Sequence, residues 1–225
     1  MSSPNHFQIF AYCLSDVYNT PVITIIAGRD DSTGEFSMHR GLLCFHSEYF
    51  RNMLNGGFKE RGSTSLIIQE VDVETFQLFF DWAYTGELGA KGSLASGMLA
   101  WDDLLKAYLF ADYHIAETFN NLVVDSFFLK WENNWGLPTL HVKTLYDSTT
   151  EDDPLRKLFV DLCVETWPIN NLEKTRAPYP AHFLLELLMG LKERDCAPAH
   201  FLVGPCLDER TMTMRARFCE RYHKH

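Results

Sequence analysis

Apolar residues recur at helical spacing through the segment from Leu42 to Glu60, and the pattern stops at two glycines. Phe50, Met53 and Leu54 follow the three-and-four spacing of an amphipathic helix. Ser47 lies just before them and is a favourable helix N-cap. The pattern therefore predicts two short helices that are separated at Ser47.

The residues after the second helix predict an exposed loop. Gly56 and Gly57 favour a sharp exit, because glycine tolerates positive φ angles. Phe58 and Glu60 follow directly, so the loop offers an aromatic and a carboxylate side chain. The aromatic ring either anchors a partner protein or folds back onto Met53 as a local cap.

Runs rich in β-branched residues predict a small sheet. Val22 to Ala27 lies between Pro21 and Gly28, and Glu35 to His39 follows a turn-rich connection. These two runs are expected to form a hairpin. Ser65 to Ile68 predicts a third strand.

A short amphipathic helix is predicted over residues 5 to 15, with Phe7, Phe10 and Leu14 on one face. This stripe packs either on the chain's own core or against a second copy. An isolated apolar stripe shows only that something covers it.

The middle of the chain reads as three further helices. Asp72 can cap the first, which ends at Gly86, and residues 89 to 97 form a linker of small residues. The core stripe predicted for this helix is Val73, Phe76, Phe80 and Ala83. From Trp101, the stripe of the next helix is Leu104, Leu105, Tyr108 and Ala111. The last stripe is Ile115, Phe119, Leu122, Val123 and Ser126.

The remainder of the chain is also predicted to be helical. Asp153 is a favourable N-cap with Pro154 at the first helical position, and the stripe after it continues to Pro168. The residues of that stripe are Leu155, Leu158, Phe159, Leu162 and Cys163. Another helix spans roughly Ala181 to Arg194, with Leu184, Leu188 and Leu191 aligned. The charged end of the chain is expected to fray.

Composition limits the possible partners. The chain has 225 residues, of which 46% are hydrophobic and 22% charged, so it should bury a core. Its net charge of -10 and pI near 5.3 disfavour nucleic acid, which requires a basic surface. Six scattered cysteines without a C-x-x-C pair suit a reducing compartment.

No targeting signal or membrane span is evident in the sequence. MSSPNHF lacks the basic and apolar regions of a signal peptide, and the longest apolar run is far too short to cross a bilayer. We therefore expect an intracellular protein, cytoplasmic or nuclear, that does not bind membranes.

Two segments together resemble the BTB/POZ domain. The first is His39 followed by LLCFHSEYFRNML and FKE, which matches the family's histidine, Leu-rich helix, Ser-x-Tyr/Phe turn and acidic loop. The second is Ile67 to Gly86, which matches a strand, an acidic turn, a helix and a Tyr-Thr-Gly stop. The matching residues of the second segment are Asp72, Val73, Phe76, Tyr84, Thr85 and Gly86.

The resemblance implies an α+β fold, a small β-sheet flanked by a helical cluster, over residues 5–129. An all-α C-terminal region is expected over residues 138–222. The Thr-Leu-Tyr and Asp-Pro-Leu-Arg sequences in this region resemble the helical tail of compact BTB proteins that are common in fungi.

The resemblance also implies the interaction residues. In BTB adaptors, a hydrophobic residue two positions before a glutamate helps to dock cullin-3, the scaffold of a ubiquitin ligase. The implied partner-binding residues are Phe58, Glu60, Met53 and Tyr84. The first helix implies a homodimer, with Asp16 and Arg40 as a polar pair near its surface. The implied dimer-interface residues are Phe7, Phe10, Leu14, Asp16 and Arg40.

Catalysis, cofactors and metals receive little support. There is no G-x-S-x-G, P-loop, G-x-G-x-x-G or H-E-x-x-H motif, and His39 reads as a hydrogen-bonded structural residue. We expect no enzyme activity and no cofactor. One metal alternative is a zinc site in the tail, because cysteine and histidine are zinc ligands. Its ligands would be Cys206, Cys219, His223 and His225.

Two functions follow from these expectations. The first is a self-associating adaptor that recruits cullin-3 through the Phe58 loop and an unknown substrate protein through the tail. The alternative is a dimeric scaffold or transcriptional regulator that does not bind a cullin.

Overall fold

The structure is a computed structural model that describes residues 16–29, 32–55, 63–89, 99–134, 139–166, 179–193 and 205–224. The predicted first helix and the side chains of Phe58 and Glu60 lie outside these residues. The described chain divides into two compact units. The first holds the described residues up to Gly89 together with residues 106–120, and the second holds residues 99–105 and 121–224.

A three-stranded sheet forms one layer of the first unit. Its strands are β1 (Val22–Arg29), β2 (Ser32–His39) and β3 (Ser65–Ile68), in the order β2-β1-β3. β1 pairs antiparallel with β2, with Ile25 opposite Phe36, and parallel with β3. The predicted hairpin and third strand are confirmed. β2 begins earlier than predicted, because residues 32–34 pair with β1.

Two short helices follow the hairpin as predicted. They are α1 (Arg40–His46) and α2 (Glu48–Asn55), and Ser47 separates them. The Ser47 Oγ accepts a hydrogen bond from the Phe50 amide at 3.2 Å. The hydroxyl satisfies an amide that the first turn of a helix leaves without an internal partner.

The third helix, α3 (Val73–Thr85), has both of its predicted ends. The Asp72 carboxylate accepts the Thr75 amide at 2.7 Å, which caps the N-terminus. Gly86 has a φ of 75° and donates its amide to the Trp82 carbonyl at 2.7 Å. A left-handed residue at this position favours glycine, which explains the abrupt end of the helix.

Aromatic rings dominate the core of the first unit. Phe79 is fully buried and its ring centroid lies 5.1 Å from that of Phe110 and 5.4 Å from that of Phe119. These two neighbours come from α4 (Trp101–Tyr113) and α5 (Glu117–Asn134). The helix pair was predicted, and the residues of the first stripe, Leu104, Leu105, Tyr108 and Ala111, are buried as expected.

Two predicted stripes in this part of the chain are only partly correct. The buried face of α3 contains Phe79 and Trp82, whereas Val73 and Phe80 are half-buried. Phe80 packs against Phe36 of β2, so α3 is covered on two sides. Ile115 does not continue the stripe of α5, because it lies in the turn before the helix with a φ of 51°.

In the described part of the second unit, four α-helices follow α5. They are α6 (Val142–Ser148), α7 (Pro154–Thr166), α8 (Ala181–Glu193) and α9 (Pro205–Tyr222). A 3-10 turn (Thr139–His141) precedes α6. The Asp153 carboxylate accepts the Leu155 amide at 2.9 Å, which confirms the predicted cap. The predicted stripe of α7 is also confirmed, since every member is buried: Leu155, Leu158, Phe159, Leu162 and Cys163.

The face predicted for α8 is wrong by one position. Phe183 and Leu187 are buried, whereas Leu188 is 64% exposed. A Cβ atom on Gly190 would lie 2.9 Å from the Cγ2 atom of Val164 on α7. The helix therefore approaches α7 along the face that contains this glycine, and it leaves Leu188 outside.

The end of the chain is packed, contrary to the expectation that it frays. Phe218 and Tyr222 of α9 are buried, and the Phe218 ring lies 4.6 Å from the Phe128 ring of α5. Asn121 makes two hydrogen bonds with the backbone of Lys224. Within the described ranges, no helix combines the length and apolar character needed to cross a bilayer.

Candidate protein-interaction surface

Arg40 anchors the end of α2, which leads into the Phe58 loop. Its Nη2 atom donates to the Leu54 carbonyl at 2.6 Å and to the Asn55 Oδ1 atom at 3.2 Å. A guanidinium is favourable there, because the C-terminal carbonyls of a helix carry partial negative charge. The chain is thus held at Asn55, three residues before Phe58.

The other end of the loop is attached to the sheet. The Thr24 amide of β1 donates to the Thr64 carbonyl at 2.9 Å, directly before β3 begins. The described residues on both sides of the loop are therefore fixed to regular structure. Met53, the predicted partner-binding residue on α2, is half-buried one turn before the loop.

The predicted pair of Asp16 and Arg40 is not formed in the described chain. Asp16 is exposed, and the Arg40 side chain donates its hydrogen bonds to the end of α2. The helix terminus supplies the acceptors that the prediction assigned to the aspartate. A role for either residue in a dimer interface stays a prediction.

Thr20 and Pro21, directly before β1, hold the start of α1. The Thr20 hydroxyl accepts the Gly41 amide at 2.8 Å, and the Pro21 carbonyl accepts the Arg40 amide at 2.9 Å. A Cβ atom on Gly41 would lie 2.7 Å from the Val17 carbonyl oxygen. This close approach requires glycine and fixes the position of Arg40.

His39 and Tyr84 form a half-buried polar contact. The Tyr84 hydroxyl accepts the His39 amide at 3.1 Å and lies 3.0 Å from the His39 Nδ1 atom. The Tyr18 ring packs edge-on against the His39 ring at 5.5 Å. The structural role predicted for His39 is confirmed. The Tyr84 hydroxyl is engaged within the chain, so a partner would contact its ring.

The start of α2 packs on the turn between α4 and α5. The Ser47 hydroxyl donates to the His114 carbonyl at 2.6 Å, and the Glu48 amide donates to the Ile115 carbonyl at 3.2 Å. Beside these bonds lie the exposed side chains of Tyr113 (64% exposed) and Ile115 (45% exposed). Tyr49 of α2 packs against the Tyr113 ring at 5.6 Å.

We call Tyr49, Tyr113 and Ile115 the Tyr113 surface. Sequence reasoning missed it, because helical periodicity placed Ile115 in the core of α5. A positive φ at a β-branched residue is uncommon and gives no sequence signal. The surface therefore becomes visible only in the fold.

A cleft of about 340 Å³ opens beside Tyr113. Lys106 and Asp72 form an ion pair at its edge, with 3.4 Å between Nζ and Oδ2. Apolar side chains provide much of the remaining wall. The residues that line the cleft are Glu70, Val71, Asp72, Thr75, Lys106, Leu109, Phe110, Tyr113 and His114.

Burial favours the neutral form of three titratable groups in the first unit. Burial lowers the pKa of His114 to about 4, although its hydrogen bond to the Phe110 carbonyl and the nearby Glu70 oppose the shift. Burial likewise lowers the pKa of His46 to about 4. Burial raises the pKa of the Cys44 thiol, although the neighbouring Arg40 opposes this effect. The cysteine is therefore a protonated thiol and a poor nucleophile.

Of the tail residues considered as zinc ligands, only Cys219 and His223 have side chains within the described residues. Cys219 is exposed, whereas the His223 Nε2 atom lies 2.9 Å from the Asp125 Oδ1 atom. The side chains of Cys206 and His225 lie outside the described residues. Among the residues that the structure describes, no group of three or more potential ligands is placed to hold a metal.

Comparison with known proteins identifies the domain in the first unit. A family profile for the BTB/POZ domain matches residues 23–113. Human Kelch repeat and BTB domain-containing protein 7 is 30% identical over 83 residues, and human Kelch-like protein 21 is 34% identical over 79 residues. These alignments cover 36% and 35% of this chain but only 12% of each relative.

A search of solved structures also finds BTB domains. The BTB domain of human Gigaxonin has a TM-score of 0.40 and 14% sequence identity. That alignment covers 56% of this chain and 95% of the Gigaxonin domain.

The chain carries a BTB/POZ domain, which the family profile places at residues 23–113. This class of domain mediates protein-protein interaction and is not a catalytic family. The sheet, α1 to α3 and the Tyr113 surface lie in the first unit, which holds the matched residues except 94–105. Ile115 follows the matched residues.

Proposed function

We propose that this chain self-associates through its BTB/POZ domain and acts as a substrate adaptor for cullin-3 ubiquitin ligases. The observation that carries the proposal is the Arg40 anchor, which fixes the end of α2 three residues before Phe58. An anchored loop loses less conformational freedom when it binds, so more of its contact energy contributes to affinity.

The Tyr113 surface would extend the contact beyond the loop. Because α2 starts against Ile115 and ends at the loop, one short helix connects both features. Exposed aromatic rings supply large contact area at little entropic cost, which suits an α-helical partner. Phe58 would be the anchor and Glu60 would fix the register.

Self-association is supported by the domain class and by exposed apolar side chains on the sheet. β2 and β3 are its outer strands in the described structure, and Ile67 of β3 is 67% exposed. Exposed strand edges readily pair with another chain. We place the dimer contacts at Phe7, Phe10 and Leu14, with Asp16 and Arg40 beside them.

The proposed boundaries are 5–129 for the BTB/POZ domain and 138–222 for the helical region. Substrate recruitment is assigned to the helical region, and the substrate is an unidentified protein. The alternative function is a dimeric scaffold or transcriptional regulator without cullin binding.

Substitutions in the loop test the adaptor proposal. We expect Phe58→Ala and Glu60→Ala each to weaken binding of the purified cullin-3 N-terminal domain by at least about tenfold, because truncated anchor residues typically cost 2 kcal/mol or more. Binding is measured by calorimetric titration of the full chain. Lys59→Ala is the matched control in the same loop and should bind within about twofold of wild type.

Light scattering on the same variants separates the two functions. The adaptor proposal requires that Phe58→Ala still self-associates while it loses the cullin. Equal cullin affinity in wild type and both variants would exclude the loop as the docking site. A wild-type chain that self-associates but does not bind the cullin would favour the scaffold alternative.

A further inference from the structure

Arg156 is a buried cation in the second unit. It lies in the first turn of α7 and is only 5% exposed. Its Nε atom donates to the Thr149 hydroxyl at 2.8 Å, and its Nη2 atom donates to the Tyr146 carbonyl at 2.6 Å and to the Thr149 carbonyl. Among the described residues, no carboxylate lies within ion-pair distance of this guanidinium.

An arginine in this position is unusual, because buried charges in proteins are normally paired with an opposite charge. The carbonyls at the end of α6 supply only partial negative charge. The Tyr146 ring lies 4.4 Å from the guanidinium carbon, which fixes the plane of the group. The Nη1 atom makes no hydrogen bond to the described chain. Its N–H groups therefore remain available to donate to a ligand.

Arg156 also lines a cavity of about 590 Å³. Thr150 and the start of α8 also line this cavity, and the first-turn amides of a helix have no internal acceptors. The residues that line the cavity are Tyr146, Asp147, Thr149, Thr150, Glu151, Arg156, Pro180, Ala181 and His182. We call it the Arg156 pocket.

We propose that the Arg156 pocket binds a phosphate group. The phosphate would receive hydrogen bonds from the Nη1 atom of Arg156 and from the Thr150 hydroxyl, and it would supply the missing negative charge. The cavity is much larger than a phosphate ion, so the group would be attached to a side chain or another small organic body. This site is separate from the proposed cullin contact.

Acidic side chains near the pocket affect how strongly it would bind a phosphate group. Asp147 forms an exposed ion pair with Lys143, and Glu186 accepts a hydrogen bond from the Tyr146 hydroxyl. Glu151 lines the pocket and is exposed. Its charge opposes phosphate binding, so its removal should strengthen the interaction.

A purely structural role for Arg156 makes a different prediction. The guanidinium already joins the end of α6 to the start of α7, and that role alone requires no ligand. Under it, Glu151→Gln would leave ligand binding unchanged. Substitution of Glu151 leaves the hydrogen bonds of Arg156 intact and therefore separates the two roles.

The test is a titration of the full chain with a phosphate-containing probe, monitored through amide chemical shifts in NMR. Chloride keeps the ionic strength constant. Inorganic phosphate and O-phosphoserine are the two probes. We expect saturable binding of both, with O-phosphoserine tighter because it fills more of the cavity. Binding of inorganic phosphate alone would contradict attachment of the group to a larger body.

Three variants and one control complete the experiment. We expect Arg156→Lys to weaken binding about tenfold, Thr150→Val to weaken it about threefold and Glu151→Gln to strengthen it about threefold. Arg221→Gln, which removes an exposed arginine of the same unit, should not change the affinity. Shifts no larger than those with chloride, or equal affinity in wild type and Glu151→Gln, would overturn the proposal.

Discussion

Replacing Phe79 with alanine should lower the free energy of unfolding by about 3–5 kcal/mol. Phe79 is fully buried, and its ring contacts those of Phe76, Trp82, Phe110 and Phe119. The loss combines the transfer free energy of the ring with the cavity that remains among rigid neighbours. Urea denaturation followed by circular dichroism measures the change.

Tyr113→Ala is the matched control for this substitution. Tyr113 is 64% exposed, so its removal should change the free energy of unfolding by no more than about 0.5 kcal/mol. A loss below about 1 kcal/mol for Phe79→Ala would contradict the position of Phe79 at the centre of the aromatic core.

Acid should destabilise the first unit through His114. Its pKa is lowered to about 4 in the folded chain from an ordinary value of 6.5, so the unfolded chain binds the proton more readily. The contribution to stability is complete above pH 6.5 and is lost as the pH falls to about 4. A pKa lowered from 6.5 to about 4 corresponds to a stability contribution of about 3 kcal/mol, and the slope approaches about 1.4 kcal/mol per pH unit.

The substitution His114→Phe isolates this titration. A phenyl ring can keep the stacking on Phe50 and Phe110, whose centroids lie 4.9 Å and 4.2 Å from that of His114. We expect the stability of the variant to depend less steeply on pH between 6.5 and 4, measured by urea denaturation at several pH values. His182→Gln, at an exposed position, is the control. Parallel pH profiles for wild type and His114→Phe would contradict the assignment.

Local signals predicted much of the fold correctly. Ser47, Asp72 and Gly86 were identified because caps depend on short side chains and positive φ angles, which are properties of single residues. The strand from Ser65 to Ile68 was identified from a short run that contains β-branched residues. Such features depend little on distant parts of the chain.

Features that depend on tertiary contacts could not be predicted. Several faces of α8 contain leucine, and the approach of Gly190 to Val164 decides which face is buried. Ile115 is exposed because the start of α2 hydrogen-bonds to its turn. The sequence pattern does not indicate the contact between Gly190 and Val164 or the hydrogen bond at Ile115.

The interaction surface was predicted only in outline. The pattern around Phe58 indicated where a loop leaves α2, but it did not indicate that Arg40 holds the end of that helix. Arg40 was paired with Asp16 by resemblance. Its actual hydrogen bonds could not be predicted, because the contacts of a guanidinium are determined by the fold. The Tyr113 surface combines α2 with the turn after α4, and periodicity within one helix does not detect it.

The central claim is that this chain functions by binding other proteins, beginning with a second copy of itself. Sedimentation equilibrium of the full chain at micromolar concentrations tests this claim most directly. The account predicts a mass of twice the 26.0 kDa of one chain. A constant mass of 26.0 kDa up to tens of micromolar would contradict it.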